Sequence, residues 1–414
     1  MKIGAVKFFL YLMLVVTASA HGQFTQPSRL NQNQASQASQ LTQASGPQFS
    51  AKQILPDSVY QTSTYKISDS VSVVDHKFHF NIETKYGVFP VASIVMLEKR
   101  LSELRAIEEA ARIGNQAVAV QGAWETVKQT PRGAGHLLFD PLGSLREFPR
   151  GFKNAAANFV DPVSRHAGST AKRQLAANLG VDSETRNPVL KKMLDRLVAR
   201  KFVGETATKM ALSAAVPGLG TLSSMEDLHG KVASQTPHEL LKAMDTQLTN
   251  LGAWPTVKNA FIQNTNWTLL EKLAYVQSYQ QLAGIQHADV MLYLANSDTT
   301  EADILRRIVE IQILANLHSR SPVESVSEVG LPIAWLKDGQ IVGVCSTDYL
   351  TNSTEVQQVA GGIRKQNPER AVKLISTGWV SPEAQQILDT NKITFVRQET
   401  AARMSILQPT ATRR

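Results

Sequence analysis

The alternation of apolar and polar residues predicts a β-sheet in the first part of the chain. Between residues 58 and 90, several short runs have an apolar residue at every second position. A period of two places such side chains on one face of a half-buried sheet. We therefore expect two or three short antiparallel strands, with these residues buried: Tyr65, Ile67, Val71, Val73, Phe78, Phe80 and Ile82.

The pattern changes to a helical period directly after these runs. Four apolar residues follow at spacings of three, four and three positions, which places them on one stripe of a helix. We expect Gly114 to end this helix, because glycine is common just past a helix end. Residues 53–114 are therefore predicted to be a β-rich section with one long helix. The residues of the stripe are Ile94, Leu97, Leu101 and Leu104.

Helical patterns dominate residues 115–325, which we interpret as a helical domain. Asn187 followed by Pro188 predicts a helix start, because asparagine accepts a backbone hydrogen bond at the cap and proline needs no donor there. We expect Gly204 to end this helix. Its predicted apolar face consists of Leu190, Met193, Leu194 and Leu197.

Two further helices are expected in the same domain. One runs from about Trp267 to Ala283, where Gly284 follows. The other begins at the capping pair formed by Thr300 and Asp303. It reaches His318, and its predicted buried stripe consists of Ile304, Ile308, Ile311 and Ala315.

Strand and helix patterns are mixed in residues 331–398, which predicts a small α/β domain. Asp338 and Gly339 separate two apolar runs and form a strong hairpin signal. A short helix at 354–363, a strand at 371–375, a helix capped by Ser381 and a last strand at 393–396 are expected to follow. With the β-rich first section and the helical middle, the fold class predicted for the whole chain is α+β. Residues 399–414 are expected to be a flexible tail.

The N-terminal segment has the pattern of a bacterial secretory signal peptide. Lys2 and Lys7 provide the positive charge, and residues 8–16 form an apolar run too short to cross a bilayer as a mature helix. Ala18 and Ala20 fit the small-x-small cleavage pattern. We expect cleavage after Ala20 and a mature chain in the periplasm or the medium. The alternative is an anchor that is not cleaved.

A leader rich in Gln and Ser follows at residues 21–52. Such a composition buries too little apolar area to offset the entropy of ordering, so we expect disorder. An adhesive arm is the alternative. Cys345 is the one cysteine of the chain, which excludes an intrachain disulfide. Its apolar neighbours favour a buried, inert thiol in a strand over a reactive nucleophile.

The net charge of +8 is concentrated in one segment. Residues 128–209 contain 15 Lys and Arg against 7 Asp and Glu, and this excess equals the charge of the whole chain. Two basic amphipathic faces are predicted there, and such faces can bind anionic membranes or polyanions. The alternative is an ordinary solvated helix surface. The candidate binding residues are Arg146, Arg150, Lys153, Lys192, Arg196 and Arg200.

A search for catalytic motifs finds no P-loop, nucleophile elbow or zinc-protease motif. We predict no cofactor and no metal. His76 and His79 would point to opposite faces of a strand, which disfavours a shared metal. Asp338, Asp348 and Glu355 are a possible oxygen-rich metal site. The alternative gives each a local role, in a turn, in a loop and in a first helical turn.

Two resemblances add to this picture. Residues 187–197, 236–240 and 347–350 resemble a group of exported bacterial proteins without an assigned activity. Residues 374–396 are similar to the closing strand–helix–strand of Mrr-like restriction endonuclease folds. The nuclease signature, an Asp followed by Glu-x-Lys on a neighbouring strand, is absent, so the resemblance does not extend to the activity.

Three functions are compatible with these features. The preferred one is a non-enzymatic exported protein whose basic helical region binds an anionic membrane surface or an envelope polyanion. The second is a hydrolase with a site in the C-terminal α/β unit, and the third is a structural, partner-binding protein of the cell envelope. Nucleic acid is disfavoured as a partner because the basic region has no reader motif. The sequence identifies no protein partner and does not decide whether the chain is an enzyme.

Overall fold

The computed structural model describes residues 46–116, 170–199 and 225–398, and this part of the chain has an α+β fold as the sequence predicts. None of the helices in these ranges is long and apolar enough to span a bilayer. The N-terminal elements are β1 (Gln48–Ser50), α1 (Ala51–Ile54), α2 (Asp57–Tyr60), β2 (Tyr65–Ile67), β3 (Ser70–Val74), β4 (Lys77–Thr84), β5 (Gly87–Ala92) and α3 (Ile94–Gln116).

The helical middle follows, and the C-terminal α/β unit comes after it. The helices of the middle are α4 (Thr170–Asn178), α5 (Pro188–Ala199), α6 (Met225–Ser234), α7 (Pro237–Asn250), α8 (Pro255–Gln263), α9 (Leu269–Gln280), α10 (Asp289–Ser297) and α11 (Glu301–Arg320). The last elements are β6 (Val323–Glu328), β7 (Pro332–Leu336), β8 (Ile341–Cys345), β9 (Tyr349–Leu350), α12 (Thr354–Gln366), β10 (Val372–Ser376), β11 (Trp379–Val380), α13 (Pro382–Thr390) and β12 (Ile393–Arg397).

The N-terminal sheet has five antiparallel strands. Four of them, β2 to β5, begin within residues 58–90, one more than the largest number predicted there, and β1 precedes that region. β4 pairs with β2, β3 and β5, and β1 extends the sheet beyond β3. All seven residues predicted for the buried face are buried, and α3 packs against the sheet. The period of two therefore predicted the face correctly.

Order begins earlier than the predicted end of the leader at residue 52. Gln48 to Ser50 pair with Ser70 to Ser72, and a capping box between Ser50 and Gln53 starts α1. A neighbouring strand and a satisfied cap stabilise this segment, although its composition is polar. The rest of the predicted leader, the signal segment and the predicted tail lie outside the described residues.

Helix α3 continues through Gly114 to Gln116, so the predicted end of this helix was wrong. Glycine inside a helix costs about 1 kcal/mol relative to alanine, which disfavours a helix without stopping it. The four residues of the predicted stripe, from Ile94 to Leu104, are all buried.

Helix α9 forms the centre of the helical middle, with ten of its twelve residues buried. It packs against α6, α7 and α11. The predicted start of α5 is confirmed, because Asn187 Oδ1 accepts the backbone N–H groups of Val189 and Leu190. The predicted start of α11 is confirmed in the same way, with Thr300 accepting from the backbone of Asp303. The predicted buried stripe of α11 is buried throughout.

The C-terminal sheet has the order β12-β10-β8-β7-β6. The strands β6, β7 and β8 form an antiparallel meander, and β8, β10 and β12 are parallel. The Asp338-Gly339 hairpin is confirmed between β7 and β8, with Gly339 at a φ of +86°. The sheet begins at Val323 rather than at 331, because β6 adds to the hairpin. The sequence pattern missed β6 since its buried positions, Val323 and Val326, do not alternate strictly.

Candidate functional site

Helix α5 presents the part of the predicted basic surface that the structure describes. Leu190, Leu194 and Leu197 are buried on its inner face, and Met193 is half-buried. Lys192 is exposed and Arg196 is half-buried. The predicted amphipathic arrangement is therefore present in this helix.

The outer face of α5 carries more than the predicted residues. Lys191 is also exposed there. Asp195 reduces the positive charge of this outer face. Its carboxylate lies 2.6 Å from the ammonium group of Lys172 in α4. The lysines 191 and 192 are thus the most accessible cations of α5. The other predicted binding residues, Arg146, Arg150, Lys153 and Arg200, lie outside the described residues.

A network of buried charges lies beneath the loop that leads into α5. Lys99 of α3 contacts Glu271 at 3.1 Å and Glu301 at 2.6 Å. Arg186, from the loop before α5, contacts the same two carboxylates at 2.9 and 3.4 Å. Arg100 of α3 also pairs with Glu301 at 3.2 Å. Four segments that are distant in sequence therefore meet in one ionic network.

Glu103 extends this network to the loop and the cap that precede α5. Its carboxylate accepts the Thr185 hydroxyl at 2.6 Å and the Asn187 amide at 3.1 Å, and it pairs with Arg100. Asn187 is also the cap of α5. Because Glu103 is 1% exposed, these bonds fix the start of α5 to α3 in a dry environment. The basic helix is held in one orientation.

The network also sets the pKa values of its members. Burial lowers the pKa of Lys99, but the carboxylates of Glu271 and Glu301 outweigh burial and raise it above its usual value. Burial raises the pKa of Glu271, but Lys99 and Arg186 outweigh it and hold it well below its usual value. Both groups are thus charged at neutral pH, as an ion pair.

A second buried cluster joins α11 to the C-terminal sheet. Arg307 donates to Asp298 at 2.9 Å and to Glu310 at 2.7 Å. Glu310 also accepts the backbone N–H of Ser346 at 3.2 Å, directly after β8. All three charged residues are at most 4% exposed. The cluster therefore fixes the sheet to the helical middle.

The three carboxylates considered for a metal site do not converge. Asp338 accepts the backbone N–H of Gln340 in the exposed turn before β8. Asp348 lies past the opposite end of β8, is 1% exposed, and accepts the backbone N–H groups of Phe78 and Ile94. Glu355 is exposed in the first turn of α12. No group of three potential metal ligands occurs in the described ranges.

His76 lies in the turn between β3 and β4 rather than in a strand, with a φ of 63°. Its Nδ1 accepts the backbone N–H of Thr351 at 3.1 Å. The proton of the neutral ring therefore sits on Nε2, which lies 3.4 Å from Ser353 Oγ. A protonated Nε2 donates to this hydroxyl and cannot accept its proton. The contact between Ser353 and His76 is therefore structural, and His76 does not serve as a base for a Ser353 nucleophile.

Cys345 is buried in β8, as the sequence predicts. Burial raises the pKa of its thiol to about 11, so the reactive thiolate is scarce at neutral pH. His318, expected at the end of α11 without a catalytic role, accepts the backbone N–H of Val323 through Nδ1.

The buried networks were missed at the sequence level. Lys99, Arg100 and Glu103 lie between the apolar residues of α3, and Arg307 and Glu310 lie between those of α11. Charged residues beside a buried stripe were the available signal. The most distant pair, Lys99 and Glu301, is 202 positions apart, and spacing along one helix does not reveal such pairs.

Comparisons with known proteins give no relative for this chain. It matches no protein-family model, no curated protein and no solved structure. The functional inference therefore depends on the residues themselves.

Proposed function

We propose that this chain is an exported, non-enzymatic binding protein that uses the basic face of α5 on an anionic membrane surface or envelope polyanion. The observation that carries the proposal is the exposed pair of Lys191 and Lys192 on α5. The start of this helix is held by the hydrogen bond from the Asn187 amide to Glu103. A helix that is already fixed in the free protein has little conformational entropy left to lose when it binds, which favours affinity. The excess of basic residues in 128–209 adds to the attraction.

The cellular location is part of the proposal and is supported by the pattern of residues 1–20. N-terminal sequencing of protein from fractionated cells tests it. We expect His21 as the first residue of the mature protein in the periplasm or medium. Full-length protein in the cytosol would contradict export.

Co-sedimentation of the purified chain with anionic and neutral vesicles tests the binding surface. Each basic side chain near an anionic membrane contributes about 1 kcal/mol. Replacing both Lys191 and Lys192 by Glu should therefore weaken binding by at least about thirty-fold at low salt. Binding of the unchanged protein should also weaken as salt rises, because the screening length falls from about 10 Å at 0.1 M to about 3 Å at 1 M.

The matched control replaces two exposed lysines of the C-terminal unit, Lys365 and Lys373, by Glu. It changes the net charge by the same amount at a different surface. Binding of this control should stay close to that of the unchanged protein. Equal losses in both variants would mean that net charge, rather than α5, determines binding. Equal binding to neutral and anionic vesicles would overturn the proposal.

A further inference from the structure

The helices α8 and α10 form a surface whose exposed positions are uncharged. They pack against each other, and the Asn296 amide of α10 donates to the backbone carbonyl of Val257 in α8 at 3.0 Å. The exposed positions of α8 and of the residue before it are Trp254, Pro255, Thr256, Asn259, Ala260 and Gln263, and those of α10 are Tyr293 and Ser297. We call these eight residues the neutral face.

The neutral face carries no charge, although 19% of the chain is charged. Lys258 is the one charged residue between 246 and 270, and it is buried. Its ammonium group lies 2.6 Å from the Asp245 carboxylate and 2.9 Å from the Thr249 hydroxyl. The exposed positions between 290 and 300 are also uncharged. The core of a protein interface typically contains few charged residues.

Two of the most exposed large hydrophobic side chains in the described residues belong to this face. Trp254 is 58% exposed and Tyr293 is 54% exposed. Each lies three residues before a member of the Val257–Asn296 contact, and so about one helical turn from it. Tryptophan and tyrosine are the residues that most often dominate binding energy at interfaces.

The core beneath the neutral face holds α10 in place through aromatic packing and hydrogen bonds. Phe261, Trp267 and Tyr275 form an aromatic cluster with ring centroids 5.1–5.3 Å apart. The Trp267 indole donates to the backbone carbonyl of Ala295, and the Tyr275 hydroxyl donates to that of Met291. Both bonds fix α10 to the core. The exposed aromatic residues are thus presented on a fixed surface.

We propose that the neutral face is a self-association surface, through which two copies of this chain pair about a two-fold axis. A two-fold axis brings the same patch of both copies together, so a charged patch would meet its own sign. The amide and hydroxyl groups of Asn259, Gln263, Thr256 and Ser297 each have a donor and an acceptor, so each can pair with its counterpart. For a chain of net charge +8, this face allows contact without like-charge repulsion.

Sedimentation velocity of the full purified chain over a range of concentrations tests this inference. We expect a monomer–dimer equilibrium whose dissociation constant does not rise with salt. This separates it from the α5 surface, where binding should weaken with salt. Replacing both Trp254 and Tyr293 by Ala should raise the dissociation constant at least tenfold. The matched control is Val88→Thr, which changes the exposed residue of β5 that is 61% exposed.

A cross-linking measurement covers the case in which the double variant also changes folding. Asn259→Cys places a thiol at an exposed position, while the native Cys345 is buried. A short thiol-reactive cross-linker should then join two copies through position 259, whereas Lys52→Cys, on the N-terminal part of the chain, should give monomers. A chain that is monomeric at all concentrations would overturn the inference. A dimer that is equally affected by Val88→Thr, or that cross-links equally well through position 52, would also overturn it.

Discussion

The carboxylate of Asp348 accepts the backbone N–H of Phe78 at 3.0 Å, although the two residues lie 270 positions apart. The same oxygen accepts the backbone N–H of Ile94 at 3.1 Å, at the start of α3. In return, the backbone N–H of Asp348 donates to the carbonyl of His76 at 3.0 Å. The turn between β3 and β4 is thus joined to the C-terminal unit by bonds in both directions.

Asp348→Asn should destabilise the protein by about 2–3 kcal/mol, because bonds to a charged acceptor are stronger than bonds to a neutral one and this site is buried. Asp338→Asn is the control, since Asp338 also accepts a backbone N–H but is exposed. Its effect should stay within about 0.5 kcal/mol. Urea unfolding of both variants measures the difference. Equal losses would show that the bonds to Phe78 and Ile94 contribute little.

Local patterns predicted the elements that local chemistry determines. The cap at Asn187, the capping pair at Thr300 and the Asp338-Gly339 turn each depend on residues within four positions, and each is confirmed. Asp348 was expected to serve a loop. Its role depends on backbone groups in β4 and α3, and no local pattern contains this information.

Glu271→Gln should lower the free energy of unfolding by about 3–5 kcal/mol. The change leaves Lys99 and Arg186 to share the carboxylate of Glu301, so one positive charge of the buried network loses its counter-ion. Glutamine preserves the capping bond that Glu271 makes with the backbone of Thr268. The loss therefore reports on the ionic network.

The chain provides a matched control in α7. Glu239 occupies the same position of a capping box, with Thr236 in the place of Thr268, but it is exposed. In the same chemical denaturation experiment, Glu239→Gln should lower the free energy of unfolding much less than Glu271→Gln does. Similar losses would mean that the cap, rather than the network, determines the effect. The sequence alone shows two similar capping boxes and does not reveal that one glutamate is buried and the other exposed.

Arg364→Lys should lower the free energy of unfolding by about 2 kcal/mol or more, since several hydrogen bonds from a charged donor are lost. The Arg364 guanidinium donates to five backbone carbonyls, those of Asn367, Pro368, Arg370, Asn391 and Lys392. It thereby joins the loop before β10 to the loop before β12. A lysine has three donors on one atom and cannot reproduce the planar fork. Arg320→Lys, at the exposed end of α11, is the control, and thermal unfolding should separate the two variants.

His229 makes the stability of the helical middle depend on pH. It is 8% exposed in α6. Burial is the main cause that lowers its pKa, from 6.5 to about 4, and the positive charge of Lys99 acts in the same direction. Between pH 6.5 and about 4, the unfolded chain binds a proton at this position and the folded chain does not. Stability from this group is therefore complete above 6.5 and is lost as the pH falls.

The size of this effect follows from the two pKa values. A shift of one unit corresponds to 1.36 kcal/mol, so the proton that His229 takes up only in the unfolded chain lowers stability by about 3 kcal/mol as the pH falls from 6.5 to 4. His229→Gln removes this contribution. The unfolding free energy of the unchanged protein minus that of the variant should thus decrease by about 3 kcal/mol as the pH falls from 6.5 to 4. Other titrating groups cancel in the difference, provided that they are unaffected by the change.

Urea unfolding at several pH values measures this difference. His238→Gln, which makes the same replacement at an exposed position near the start of α7, is the control for the change of side chain. A parallel profile for His229→Gln would mean that His229 takes up a proton as easily in the folded chain as in the unfolded one. That result would contradict the desolvation that its burial beside Lys99 implies, since a buried imidazole favours its neutral form.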